Sequence, residues 1–205
     1  GNYVDPRGLA SLREAIAQFE HDRHGHSPSP DQIVVTAGSY GALSVITRAL
    51  LDDDAEVLVL EPGWGPYKAL VALTGARAIG VPMGTRDDRF VIDAGLLEDA
   101  VTQRTRAIIF NSPWNPTGRV LSTAELGVIA EVAQRHDLWL IADEVYSELI
   151  YGDAVHESIA ALSPEVAART LIATSFSKSF AMTGWRLGYC VASAQMAPIL
   201  ARINQ

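Results

Sequence analysis

Short apolar runs alternate along this chain with stretches whose apolar residues recur at helical spacing. Seven runs read as strands: Ile33 to Thr36, Val57 to Leu60, Ala78 to Val81, Ala107 to Asn111, Leu138 to Ala142, Leu171 to Thr174 and Leu187 to Val191. Most are nearly unbroken in Val, Ile, Leu and Ala, the pattern of strands covered on both faces. Leu9, Leu12, Ile16 and Phe19 mark a first amphipathic helix, with Gly25 as its stop. Gly41 to Leu51 forms a second. A third begins near Ser122, where Ser122-Thr123-Ala124-Glu125 makes a capping box ahead of Leu126 to His136. Strands alternating with helices predict an α/β fold, a parallel sheet wrapped by helices. The Pro- and Gly-rich patches, His26 to Pro30 and Ser112 to Gly118, are short enough to be loops, and no internal repeat is found.

Composition narrows the function classes. With 205 residues, 48% hydrophobic and 20% charged, the chain can bury one sizeable core. A net charge of -8 argues against a nucleic-acid or anionic-membrane partner. The single cysteine, Cys190, rules out an internal disulfide framework, and no run has the apolar length of a membrane span. A cytoplasmic location is expected: Gly1-Asn2-Tyr3-Val4-Asp5 has neither the charged lead nor the apolar stretch of an export signal. The missing initiator methionine suggests a fragment.

In an open parallel sheet the ligand binds outside the carboxyl ends of the strands. Five polar motifs fall just there. Gly38-Ser39-Tyr40-Gly41 follows Thr36, Trp64 follows Leu60 within Glu61-Pro62-Gly63-Trp64-Gly65, and Asn115-Pro116-Thr117-Gly118 follows Asn111. Asp143-Glu144-Val145-Tyr146 follows Ala142, and Lys178 follows Thr174 within Ser175-Phe176-Ser177-Lys178. Each has a plain structural reading beside a chemical one. Lys178 is either a solvated surface lysine or an imine-forming amine. Asp143 either caps a helix or, buried by the run before it, needs a cationic partner such as a protonated pyridine nitrogen. Gly38 to Gly41 can be a helix start or a phosphate cradle. Trp64 is core or a platform for a ring, and Arg186 pairs with a surface carboxylate or with a phosphate. An amine, a buried carboxylate and a phosphate cradle together point to pyridoxal phosphate.

Two clusters are read as structural. His21, His24 and His26 lie at a helix end and match no metal-ligand spacing, so a solvated turn and no metal site is expected. Cys190, inside an apolar strand, reads as a buried thiol.

Asn115-Pro116-Thr117-Gly118, Asp143-Glu144-Val145-Tyr146 and Ser175-Phe176-Ser177-Lys178 through Gly184-Trp185-Arg186-Leu187-Gly188 resemble the motifs of class I/II aminotransferases, fold-type I pyridoxal-phosphate enzymes. The resemblance spans nearly the whole chain. It implies a three-layer sandwich, the large domain of that family, with a mostly parallel seven-stranded sheet whose strand at Leu187 to Val191 is antiparallel. It also implies that Lys178 forms the Schiff base, that Asp143 pairs with the pyridine nitrogen, and that Tyr146 and Asn115 bond the ring hydroxyl. Trp64 would stack on the ring, and Gly38, Ser39, Tyr40, Ser175 and Arg186 would hold the phosphate. Tyr3 would reach the phosphate of the neighbouring subunit, making the site a property of a homodimer. The implied reaction moves an amino group between an L-amino acid and a 2-oxo acid by ping-pong kinetics.

The chain differs from the family in extent. The resemblance implies that residues 1 to 205 correspond to the large domain, and that the family's N-terminal arm and its C-terminal small domain, which supplies the arginine for the substrate carboxylate, are expected to lie outside them. Three other readings stay open. A carbon-sulfur lyase, decarboxylase or cyclising synthase would share every motif. So would the aminotransferase-like effector domain of a transcription regulator. A nucleotide-binding domain without covalent chemistry is the third.

Overall fold

The computed structural model describes residues 5–205, so Tyr3 lies outside the described residues. A seven-stranded sheet is built from β1 (Ile33–Thr36), β2 (Glu56–Glu61), β3 (Arg77–Pro82), β6 (Thr105–Asn111), β7 (Trp139–Asp143), β8 (Thr170–Ser175) and β9 (Gly188–Val191), in the order β1-β9-β8-β7-β6-β2-β3. β9 is antiparallel to both its neighbours, and the pairs among the other strands are parallel. The one-antiparallel-strand sheet is therefore as expected. Between β3 and β6 lies an unforeseen hairpin, β4 (Gly84–Arg86) with β5 (Arg89–Val91).

Two helical layers cover the sheet. Alternate residues of one strand point to opposite faces, and the central strands supply apolar side chains to both. Leu58, Leu60, Ile108, Phe110 and Leu140 pack with Ile16 of α1 (Ala10–His24), Leu97 of α4 (Ala94–Ala100) and Leu126 and Ile129 of α5 (Thr123–Arg135). Their neighbours Val57, Val59, Ala107, Ile109 and Ile141 pack with Leu43 and Ile46 of α2 (Gly38–Leu50), Leu70 of α3 (Pro66–Ala72) and Leu200 of α8 (Ala197–Ile203). Each leucine or isoleucine buried this way contributes about 2 kcal/mol. α6 (Pro164–Ala168) and the short α7 (Phe176–Ser179) flank β8. The capping box at Ser122 forms as expected: Glu125 accepts from the Ser122 amide at 3.0 Å while Ser122 Oγ accepts from the Glu125 amide at 3.4 Å.

Two expectations are corrected. α2 starts at Gly38, not Gly41, because Gly38 takes the left-handed φ of 74° that lets the chain turn from β1 straight into the helix. His21, His24 and His26 do not form a solvated turn: His24 and His26 are buried, and only His21 faces solvent. α1 turns a polar stripe of Arg13, Glu20 and His24 inward beside Ile16, so its apolar periodicity describes only part of its buried face. Cys190 is buried as expected, and burial pushes its thiol up to about 12.

The join between sheet and site is tight at Gly188. A Cβ there would lie 2.5 Å from the Gly38 carbonyl carbon and 2.7 Å from the Thr174 oxygen, both backbone. Gly188→Ala is expected to destabilise the protein by about 3 kcal/mol, because no flexible side chain can yield. A thermal midpoint equal to the parent's would contradict this packing.

Candidate active site

The carboxyl ends of β1, β2, β6, β7 and β8 open onto one crevice of about 270 Å³. Ser39, Trp64, Asn115, Asp143, Tyr146, Ser175, Lys178 and Arg186 all line it, so eight residues singled out in the sequence converge. Gly38 sits at its edge against Arg186. Tyr40 is placed differently: it is exposed and packs edge-on against Trp64, ring centroids 5.9 Å apart, and does not line the crevice.

Asp143 ends β7 and is buried. Its Oδ2 accepts a 2.7 Å hydrogen bond from Tyr67 Oη and its Oδ1 one of 3.2 Å from the Val145 amide. Burial pushes the carboxyl up to about 6, helped by the neighbouring Glu144 charge and opposed by the Tyr67 and Val145 bonds. Among the described residues no cationic side chain pairs with it. A buried carboxylate in that state favours an incoming cation or a shared proton.

Lys178 stands in α7, just beyond β8. Of the chain's two lysines, Lys68 is paired with Glu61, whereas Lys178 makes no ion pair among the described residues and its Nζ lies 5.8 Å from the centre of the Tyr146 ring. The segment after β6 is pinned by Asn111, whose Nδ2 donates to the Asp143 carbonyl at 3.1 Å while its Oδ1 accepts from the Asn115 amide at 2.6 Å. Asn115 Nδ2 then reaches Tyr146 Oη at 3.4 Å.

Another part of the crevice lining suits an anion. The first amides of α2 are unsatisfied within the helix and carry its positive dipole end. Gly38 lets Arg186 approach them: a Cβ on Gly38 would lie 2.7 Å from Arg186 Nη2. Ser175 adds a hydroxyl, and the buried Ser177 Oγ has no hydrogen-bond partner. Amine, carboxylate, aromatic wall and anion cradle thus fit pyridoxal phosphate in charge and in the order of their chemistry.

The sequence matches the family described as Aminotransferase class I and II over residues 1–205. The chain belongs to this family. It is 43% identical over 205 residues to a putative aminotransferase of Bacillus subtilis, covering 100% of this chain and 52% of that one. It is 41% identical over 202 residues to an arginine–pyruvate transaminase of Pseudomonas aeruginosa, covering 98% and 51%. The N-succinyldiaminopimelate aminotransferase of Mycobacterium tuberculosis superposes with a TM-score of 0.95 at 37% identity, covering 100% of this chain and 53% of that one. The chain spans about half the length of the curated relatives it matches. Class I/II aminotransferases depend on pyridoxal phosphate, which accords with the crevice chemistry.

Two residues at this crevice are not singled out by the sequence. Tyr67, in the first turn of α3, reads as a core aromatic, yet a buried phenol needs a partner and finds it in Asp143. Asn111 reads as the end of a strand, although a polar amide closing an apolar run facing a crevice is itself a signal.

Proposed function

We propose that this chain carries the cofactor site of an aminotransferase that moves an amino group between an L-amino acid and a 2-oxo acid. The observation that carries the proposal is the single crevice in which the free Lys178 amine and the buried Asp143 carboxylate both stand. Bound pyridoxal phosphate supplies an electron sink for the charge left when the substrate Cα loses its proton. Lys178 would hold the cofactor through its amine and, when that amine is free, would serve as general base and acid at the substrate Cα. Asp143, its carboxylate fixed by Tyr67, would pair with the pyridine nitrogen. Tyr146 and Asn115 would hold the ring hydroxyl and Trp64 would cover one face. Gly38, Ser39, Ser175 and Arg186 would hold the phosphate, while Tyr40 braces Trp64.

A homodimer completed by Tyr3 of the neighbouring subunit, and a cytoplasmic location, belong to the same proposal. No helix among the described residues is long and apolar enough to cross a membrane. The test is product analysis of the full-length protein with amino acids and 2-oxoglutarate. Stoichiometric glutamate and a 2-oxo acid are expected; ammonia and pyruvate without glutamate would establish a lyase instead.

A further inference from the structure

Away from the crevice, the end of α1 gathers three potential ligands. Glu20 and His24 stand one helical turn apart, and Gly25 closes the helix in the left-handed conformation with φ 75°, which brings His26 back beside them. His24 Nδ1 lies 2.7 Å and His26 Nε2 2.8 Å from the same oxygen, Glu20 Oε2. One ligand atom from each residue falls within 4.8 Å of the others, and all three residues are buried.

We propose that Glu20, His24 and His26 form a binding site for a divalent transition-metal ion of the zinc type. Two imidazole nitrogens and one carboxylate oxygen suit zinc or cobalt, not calcium or magnesium, which prefer all-oxygen shells. Two outer contacts match what metal ligands require. His24 Nε2 lies 3.2 Å from Glu148 Oε1, the carboxylate-histidine arrangement that fixes a ligating ring, and Tyr189 Oη donates to the other Glu20 oxygen at 2.5 Å. Access exists from two sides: His26 lines one surface groove and His24 another. The two contacts to Glu20 Oε2 need to open by only about 0.6 Å for tetrahedral ligands to surround an ion at bond lengths near 2.0–2.1 Å.

In the bound form His24 would present Nδ1 to the ion with its proton on Nε2 toward Glu148, and His26 would present Nε2 with its proton on Nδ1; any proton displaced goes to solvent. Nearby charged and titratable groups are Arg23, Glu144, Glu148, His156 and Tyr189. Of these Arg23 pairs with Glu148, and Glu144 accepts from His156 at 3.3 Å.

The test uses the full-length protein, stripped with a chelator and titrated with Co²⁺ and then Zn²⁺. Uptake of one equivalent of cobalt with visible ligand-field bands, displaced by zinc, is expected. His26→Ala, at the rim of the site, should weaken uptake at least about tenfold, and Glu148→Gln about tenfold through the lost outer contact. His21→Ala and His136→Ala should bind as the parent does, and circular dichroism of each variant confirms folding. No stoichiometric cobalt spectrum, or equal uptake by His26→Ala, would overturn the site and leave the cluster as a hydrogen-bonded core network. Because metal uptake is read without turnover, this result stands apart from the aminotransferase proposal.

Discussion

Lys178→Ala is expected to abolish covalent cofactor attachment and, with it, turnover. The proton transfer alone is worth roughly 10²–10⁴-fold, and the lost covalent bond to the cofactor adds to that. The chain has two lysines, and Lys68 is committed to Glu61 on the β2 side of the site. Among the described residues, Lys178 is therefore the lysine that brings an amine without an ion pair into the crevice. Borohydride treatment of the parent followed by peptide mapping should place the reduced cofactor on the segment Phe176 to Phe180, and Lys68→Ala should leave that label in place. The fold should survive in Lys178→Ala, because the side chain is exposed and bears no ion pair among the described residues. A borohydride-reducible adduct persisting in Lys178→Ala would refute the assignment.

Most of this architecture is legible in sequence because the central strands are covered on both faces. Leu58 and Val59, or Ile108 and Ile109, must both be apolar although they point in opposite directions, which leaves conspicuous unbroken runs. The site is legible because polar motifs interrupt the chain where those runs end. What was illegible has identifiable causes. The β4–β5 hairpin is two three-residue strands on the surface, and its turn places Asp87 and Asp88 at positive φ, a conformation usually advertised by Gly or Asn. The inward polar face of α1 meets its partners Glu148, against His24, and Tyr189, against Glu20, only in the folded chain, because both are remote in sequence. Tyr67 was hidden for a similar reason, since an aromatic on an apolar helix face shows nothing of where its hydroxyl goes. The antiparallel β9 came from family resemblance, because periodicity carries no strand direction.

Asp143→Asn is expected to reverse its effect on stability between cofactor-free and cofactor-bound protein. In the cofactor-free protein the carboxyl is raised from an ordinary 3.8 to about 6 by burial, so the folded state holds the proton more tightly than the unfolded state does. Stability from this group is then fully present below about pH 4 and is lost as pH rises through 6, a difference of about 3 kcal/mol at 1.36 kcal/mol per unit. Asp143→Asn removes that dependence. Without cofactor it should match the parent near pH 4 and exceed it at pH 8, as read by denaturant or thermal unfolding. With cofactor bound the order inverts, because the parent gains a pyridinium partner that the amide cannot replace. Losing one member of a buried pair costs about 3–5 kcal/mol, so turnover should fall roughly 10²–10⁴-fold while some cofactor is retained. Tyr67→Phe, which deletes a bond that lowers the Asp143 carboxyl, should act in the same direction with a smaller loss and should shift the acidic limb of the rate profile to higher pH. Parallel stability curves for the parent and Asp143→Asn across pH 4 to 8, without cofactor, would mean that this carboxylate is not the strained acid its burial implies.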